Sequence, residues 1–254
     1  MFMRLVEAVV REGKGPALES VYRDSVIPVL EKTGGCIFAG LLQSVNNSGQ
    51  YASLTLWQSE KSIQDYNESG SFEKNLEYVR PFLEESTEWK IQLTKESAIE
   101  YVPVKQEPIV KSYPVESDDE NLSEGIVGDR KYLRVLSLKI KTGQEEEFKQ
   151  IYKNDIQTAL RETPGCRFSF LVDNSSVENE FLSLTIWDDL ESVKLYEDEG
   201  EFSSLLKMVS HTLAELYQWK MALESKSKSK YSVTSKDLDI SKFTMVTGKK
   251  FDSQ

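Results

Sequence analysis

The side chains with most chemical capacity at a regular spacing in this chain are aromatic. Trp57 ends the run Tyr51-Ala-Ser-Leu-Thr-Leu-Trp57, and Tyr66 follows nine residues later; Trp187 ends Phe181-Leu-Ser-Leu-Thr-Ile-Trp187, and Tyr196 follows at the same interval. Strand alternation puts Trp57 on one face with Tyr51, Ser53 and Thr55, and puts Leu54 and Leu56 on the other. Trp187 shares its face with Ser183 and Thr185 in the same way. A phenol such as Tyr66 or Tyr196 can give a proton or a hydrogen bond to a bound oxygen. An indole can wall an apolar pocket. Phe72 and Leu76, matched by Phe202 and Leu206, lie on one face of a following helix. The ligand-binding candidates are therefore Trp57, Tyr66, Phe72, Leu76, Trp187 and Tyr196, and the catalytic candidates are Tyr66, Trp57 and Ser53. The competing reading is that the tryptophans anchor sheet to helix, because aromatics dominate cores, and that the tyrosines are half-buried with their hydroxyls in water.

Other chemistries lack their residues. His211 is the sole histidine. It falls half a turn away from the apolar stripe begun by Phe202, so it is expected to face solvent. One histidine and two separated cysteines, Cys36 and Cys166, make no zinc-type cluster. Both cysteines open equivalent strands and read as small buried residues. There is no glycine-rich phosphate loop, paired-carboxylate pattern or nucleophile elbow. A formal net charge of −11 argues against a nucleic-acid partner, which requires a basic face. No apolar run approaches the ~20 residues of a membrane helix. Met1-Phe2-Met3-Arg4 is not followed by a signal-type apolar segment, so a cytoplasmic location is the expectation.

These residues must be positioned by elements that the chain contains twice. Shifting by the 130 positions that separate Trp57 from Trp187 carries Ser62 onto Ser192, Gly70 onto Gly200, Cys36 onto Cys166, Gly35 onto Gly165, Tyr22 onto Tyr152 and Trp89 onto Trp219, without a gap. Beyond Trp89 the likeness thins but persists: Tyr101 meets Tyr231, Val110 meets Ile240 and Tyr113 meets Phe243. A repeat this long means two copies of one folded unit, in a chain of 254 residues that is 39% hydrophobic and 29% charged.

Each copy reads strand, helix, strand, strand, helix, strand. Arg4, Val6, Ala8 and Val10 alternate as a half-buried strand, matched by Arg134, Leu136, Leu138 and Ile140. Leu18, Val21, Tyr22, Val26, Val29 and Leu30 follow a helical stripe. Pro28 is predicted to kink that helix, and Thr158 in its place is predicted to leave the second copy straighter. Residues 36–44 and 50–57 read as a hairpin. Ser59, or Asp188-Asp189, caps a short helix, Ser69-Gly70 interrupts it, and Phe72, Leu76, Val79 and Leu83 line the next. Residues 87–94 are expected to supply the last strand. An antiparallel sheet with helices on one face follows, an α+β fold. The expected domains are 1–115, a first unit with an extended arm; 116–130, an acidic linker; 131–246, a second unit with its arm; and 247–254, a frayed tail.

The strand ending Leu-Thr-Leu-Trp-Gln-Ser, the short helix with Asp65-Tyr66, Ser71-Phe72 and Thr163-Pro-Gly-Cys-Arg-Phe168 resemble the antibiotic biosynthesis monooxygenase (ABM) domain family. The resemblance implies two ferredoxin-like units paired sheet against sheet, an intramolecular dimeric α/β barrel, and so a monomer acting as a pseudo-dimer. It implies either a monooxygenase that needs no cofactor and acts on a small aromatic or polyketide-like molecule, or a protein that binds a small apolar ligand, haem among them, without turnover. An interaction protein with closed pockets is the third possibility. The haem-degrading branch uses an asparagine, a tryptophan and an iron-ligating histidine, where this chain has Val6 or Glu7, Tyr66 and Leu76, and in the second copy Leu136 or Ser137, Tyr196 and Leu206. In the quinone-forming branch the resemblance places Trp57 and Trp187 at the strand-end tryptophan and Ser53 and Ser183 at the polar position, with Tyr66 and Tyr196 as possible phenols. The copies also diverge in bulk: Ala8 becomes Leu138, Gly40 becomes Phe170, Ala52 becomes Leu182 and Ala39 becomes Ser169. A ligand is accordingly expected in the first copy.

Overall fold

The computed structural model describes residues 1–84, 89–93, 99–103, 109–114, 131–173, 179–214 and 240–251. The first unit runs β1 (Phe2–Val9), α1 (Gly15–Val21), a π turn (Tyr22–Val26), α2 (Ile27–Glu31), β2 (Cys36–Ser44), β3 (Gln50–Trp57), α3 (Glu60–Glu68) and α4 (Ser71–Val79). Then come β4 (Trp89–Leu93), β5 (Ile99–Pro103) and β6 (Ile109–Pro114). The second unit repeats the plan with β7 (Tyr132–Lys139), α5 (Glu145–Ile151), a π turn (Tyr152–Ile156), α6 (Gln157–Glu162), β8 (Cys166–Asp173), β9 (Glu180–Trp187), α7 (Leu190–Asp198), α8 (Glu201–Val209) and β10 (Ile240–Lys250). Among the described residues no helix is long and apolar enough to cross a membrane.

One antiparallel sheet of eight strands has the order β6-β1-β3-β2-β10-β7-β9-β8. Each half, β6-β1-β3-β2 or β10-β7-β9-β8, is a ferredoxin-like unit. The fourth strand is not where the sequence placed it. Among the described residues β4 pairs only with β5, in a separate two-stranded sheet, and the edge beside β1 is taken by β6, from the segment read as an arm. The second arm does the same. Val110 lies opposite Val6 and Ile240 opposite Leu136, so the faint Val110–Ile240 match was the repeat signal of a true strand. Trp219, Tyr231 and the acidic segment 116–130 lie outside the described residues.

β10 also joins the units. Its first half pairs with β7, and Phe243–Lys250 pairs with Ser44–Phe38 of β2. The tail expected to fray from Thr247 is therefore ladder as far as Lys250, and Phe251 is buried and donates its N–H to the Ile37 carbonyl at 2.8 Å. At the opposite edges β6 comes beside β8, so the sheet curls into a barrel. Met3, Leu5, Phe38, Leu54 and Leu56 pack inside it against Leu133, Phe170, Leu184, Ile186 and Phe243. The outer faces are covered by helices, giving each unit its own sheet–helix core.

Next to Pro28, where the sequence predicts a kink, the helix carries a π turn, and so does its counterpart at Thr158. Both helices widen at the same place: Ile27 N–H bonds the Tyr22 carbonyl and Gln157 N–H the Tyr152 carbonyl, five residues back in each copy. The π turn is present with Thr158 as it is with Pro28, so it belongs to the repeat rather than to the proline. Gly35 and Gly165 close these helices at φ +77° and +81°. A Cβ on either would stand 2.2 or 2.3 Å from the hydroxyl of Ser62 or Ser192, which explains why the glycine and serine recur as a pair.

Candidate functional site

Between sheet and helices of the first unit lies a cavity of about 80 Å³. Val6 and Ala8 of β1, Ser53 and Thr55 of β3, Leu18, Tyr22 and Val26 of the first helical run, Tyr66 of α3, and Phe72, Asn75, Leu76 and Val79 of α4 line it, with Arg4 among them. The equivalent space in the second unit is about 30 Å³. Its filling comes from Leu138 for Ala8, as the sequence suggested, and also from Leu136 for Val6, Phe148 for Leu18, Ile156 for Val26 and Leu205 for Asn75. The other three divergent positions act elsewhere. Phe170 and Leu182 point into the barrel, and Ser169 is a buried serine whose hydroxyl has no partner. The enlargement from Gly40 to Phe170 therefore fills the barrel interior between the two halves of the sheet and leaves the cavity alone.

The candidate residues occupy distinct layers. Tyr66, Ser53, Phe72 and Leu76 face the first cavity. Trp57 is fully buried behind Tyr66, with ring centroids 5.1 Å apart, and donates its indole N–H to Thr55 Oγ1 at 2.8 Å. Trp187 repeats this with Tyr196 and Thr185. Both tryptophans are packing partners of the tyrosines that reach the cavities, and they do not form the cavity walls. Ser53 Oγ shares a hydrogen bond of 2.7 Å with the Tyr22 hydroxyl, which also donates to the Gly40 carbonyl at 3.3 Å. The π turn sets Tyr22 at this spot, and Tyr152 makes the same pair with Ser183 at 2.9 Å.

Tyr66 Oη accepts a hydrogen bond from Asn75 Nδ2 at 2.8 Å. Burial pushes its phenol up; the Asn75 bond and the nearby Arg4 charge only partly oppose this. Burial also raises Tyr22 and Tyr196. At neutral pH these phenols are uncharged donors and not bases. Cys36 and Cys166 are buried, each pushed to about 12 by that burial, so both are inert thiols. His211 is exposed, with Nε2 3.1 Å from Glu147. Among the described residues no cluster of His, Cys, Asp or Glu could hold a metal ion. Leu76 and Leu206, which the resemblance sets at the position of a haem ligand, are both buried.

Arg4 is the residue that sequence reasoning left out of the site. It is 2% exposed. Its guanidinium lies 4.1 Å from the Phe72 ring centroid and 5.5 Å from that of Tyr66. The signal was available: a cation on the apolar face of a strand, repeated as Arg134. Tyr22 and Asn75 were equally legible only as a helix-stripe residue and a polar interruption.

A curled antiparallel barrel with paired sheet–helix cavities defines a two-unit dimeric α/β-barrel protein held in one chain. The sequence model of the family described as antibiotic biosynthesis monooxygenase matches residues 1–77 and 132–207, and the chain belongs to that family. Similar solved structures include a "putative monooxygenase" from Lactobacillus acidophilus NCFM at 11% identity, covering 98% of this chain and 95% of that one with TM-score 0.62. A second, "Putative monooxygenase (FN1347)" from Fusobacterium nucleatum subsp. nucleatum, is 9% identical, with 98% and 94% coverage and TM-score 0.65. An anthrone oxidase-like protein is 10% identical, with 100% and 94% coverage and TM-score 0.57. At these identities they share the fold. No curated protein matches the sequence.

Proposed function

We propose that this protein is a monooxygenase of the ABM type, independent of any cofactor, that oxidises a small hydroxylated aromatic molecule in the first unit's cavity. The observation that carries the reading is that cavity itself: set between sheet and helices, mostly apolar, and met by the Tyr66 hydroxyl, the Tyr22–Ser53 pair and Arg4. The second unit, nearly filled, serves as its structural half. One similarly folded protein carries the name anthrone oxidase-like, and an anthrone presents a methylene activated by flanking rings. Such a methylene needs no external reductant. CH₂ plus O₂ gives C=O plus H₂O: the activated carbon loses a proton to solvent water, its anion reduces dioxygen, and the carbon peroxide so formed takes a proton back to become a hydroperoxide. The O–O bond then breaks, and both carbon-bound hydrogens leave in the water. In this scheme Arg4 stabilises the anion, and the neutral Tyr66 phenol, held by Asn75, donates to the developing peroxide oxygen.

Oxygen uptake with a panel of hydroxylated aromatics tests this. One O₂ should be consumed per substrate. Tyr66→Phe should lower turnover by about a hundredfold or more, while Tyr196→Phe should leave it close to that of the unaltered chain. Uptake by no member of the panel, with the same compounds binding, would place the chain among ligand-binding proteins instead.

A further inference from the structure

The two buried arginines are treated differently by their surroundings. Arg134 is 1% exposed and donates Nε–H to Glu197 Oε1 at 2.9 Å; Lys242 holds the other oxygen of the same carboxylate. Glu197 is itself buried. One nitrogen of Arg134, Nη2, lacks a partner, but its charge is matched at contact distance. The space beside it is the nearly filled one.

In the first unit the carboxylate is gone. Position 67 is asparagine where the second unit has Glu197, and Ser112, opposite Arg4 in the β1–β6 ladder, stands where β10 has Lys242. Among the described residues Arg4 donates only to Asn67 Oδ1, at 3.1 Å through Nη1, and its Nε is buried without a hydrogen-bond partner. Asn75 Oδ1, also buried and on the same cavity, has no partner either. An uncompensated buried cation is costly unless something pairs with it. The aromatic faces of Phe72 and Tyr66 offset part of that cost and supply no anion. Among the described residues, then, one arginine is neutralised by a carboxylate beside a filled space and the other has no carboxylate partner beside an open one.

We infer that the first cavity is a binding site for an anionic aromatic ligand, whose carboxylate or acidic oxygen pairs with Arg4 and whose hydroxyl donates to Asn75 Oδ1. This deepens the proposed function, since it names the charge class of that cavity's ligand, and it holds for binding whether or not oxidation follows. The ring would lie between Leu18, Val26 and α4. Since an apolar cavity of about 150 Å³ accommodates benzene, the 80 Å³ present requires a side chain to give way. Phe72 and Val79, only half-buried, are placed to do so.

The test is calorimetric titration of the full chain with 4-hydroxybenzoate and with its neutral isostere 4-hydroxybenzamide. The acid should bind once per chain and at least roughly tenfold more tightly than the amide, as a charge-assisted contact predicts. Arg4→Met should abolish the preference. Asn67→Glu installs the carboxylate of the second unit and neutralises Arg4 without removing it; it should keep the melting temperature and lose the preference, which covers the case that Arg4→Met does not fold. Equal affinity for acid and amide, no binding of either at millimolar concentration, two sites per chain, or a preference that survives Asn67→Glu would each overturn the inference. Oxygen uptake is read separately. Tight binding of the acid without uptake fails the oxidation reading alone, and uptake on neutral phenols undiminished by Asn67→Glu fails the anion site alone.

Discussion

Ala8→Leu transplants into the first cavity the residue that helps close the second. Ala8 sits on β1 opposite Tyr51, as Leu138 sits opposite Phe181. Leucine adds three carbons. At about 0.8 kcal/mol per buried CH₂ the gain is at most about 2.4 kcal/mol. Crowding subtracts from that by about 1 kcal/mol or more, because Tyr51 keeps a hydroxyl that Phe181 lacks and holds it on Glu19 at 3.2 Å. The net expectation is a stability equal to or about 1 kcal/mol above the parent, a rise of about 2–4 °C in melting temperature. Ligand affinity and turnover should fall by about a hundredfold or more, because a ring displaced by an ångström loses its alignment. Scanning calorimetry and oxygen uptake on the same preparation read both effects. A variant that melts higher and keeps full activity would refute the assignment of the cavity as the site. A variant that is strongly destabilised would refute the claim that the space beside Ala8 is free. Leu18→Phe, which copies Phe148, probes the same volume from the helix side.

Asp188 is held at about 2 by hydrogen bonds from Arg167 and Lys131. Its pKa is depressed on folding, so the stabilisation is present above the unfolded value of about 4 and is lost as pH falls towards 2. Urea unfolding across that window should show a shallower acid loss in Asp188→Asn. Gly35→Ala should lower the unfolding free energy read from urea denaturation by about 1–2 kcal/mol for the left-handed backbone alone, with a further loss from the close approach to Ser62. Gly34→Ala, with nothing within 4 Å of its added carbon, should be tolerated. Light scattering should return the mass of one chain, because the sheet faces that would otherwise seek a partner are already buried inside the barrel.

The repeat made most of the fold legible. Period-two alternation sorted β3 correctly, with Leu54 and Leu56 in the barrel and Ser53 and Thr55 towards the helices. The Ser59 and Asp189 caps were equally readable, since each accepts from the backbone N–H three residues on. The site was half legible. Tyr66, Ser53, Phe72 and Leu76 were identified and face the cavity; Arg4 was seen only as a strand residue, because a charge on an apolar face has no periodic signature of its own.

What the sequence determined by itself was therefore local and repeated: side-chain alternation, capping residues, obligatory glycines and the equivalence of the two copies, all set by interactions within a few residues or by the 130-residue shift. Partner choice was decided only in the tertiary structure. Whether residues 89–93 or 109–114 edge the sheet depends on competition for the free ladder of β1, and both segments can form strands. Whether Arg4 is neutralised depends on residue 67, far along the chain, and on the strand that lies beside β1. Whether Phe170 fills a pocket or plugs the barrel depends on which layer its face meets. These outcomes come from long-range packing and pairing energies, which no short window of sequence contains.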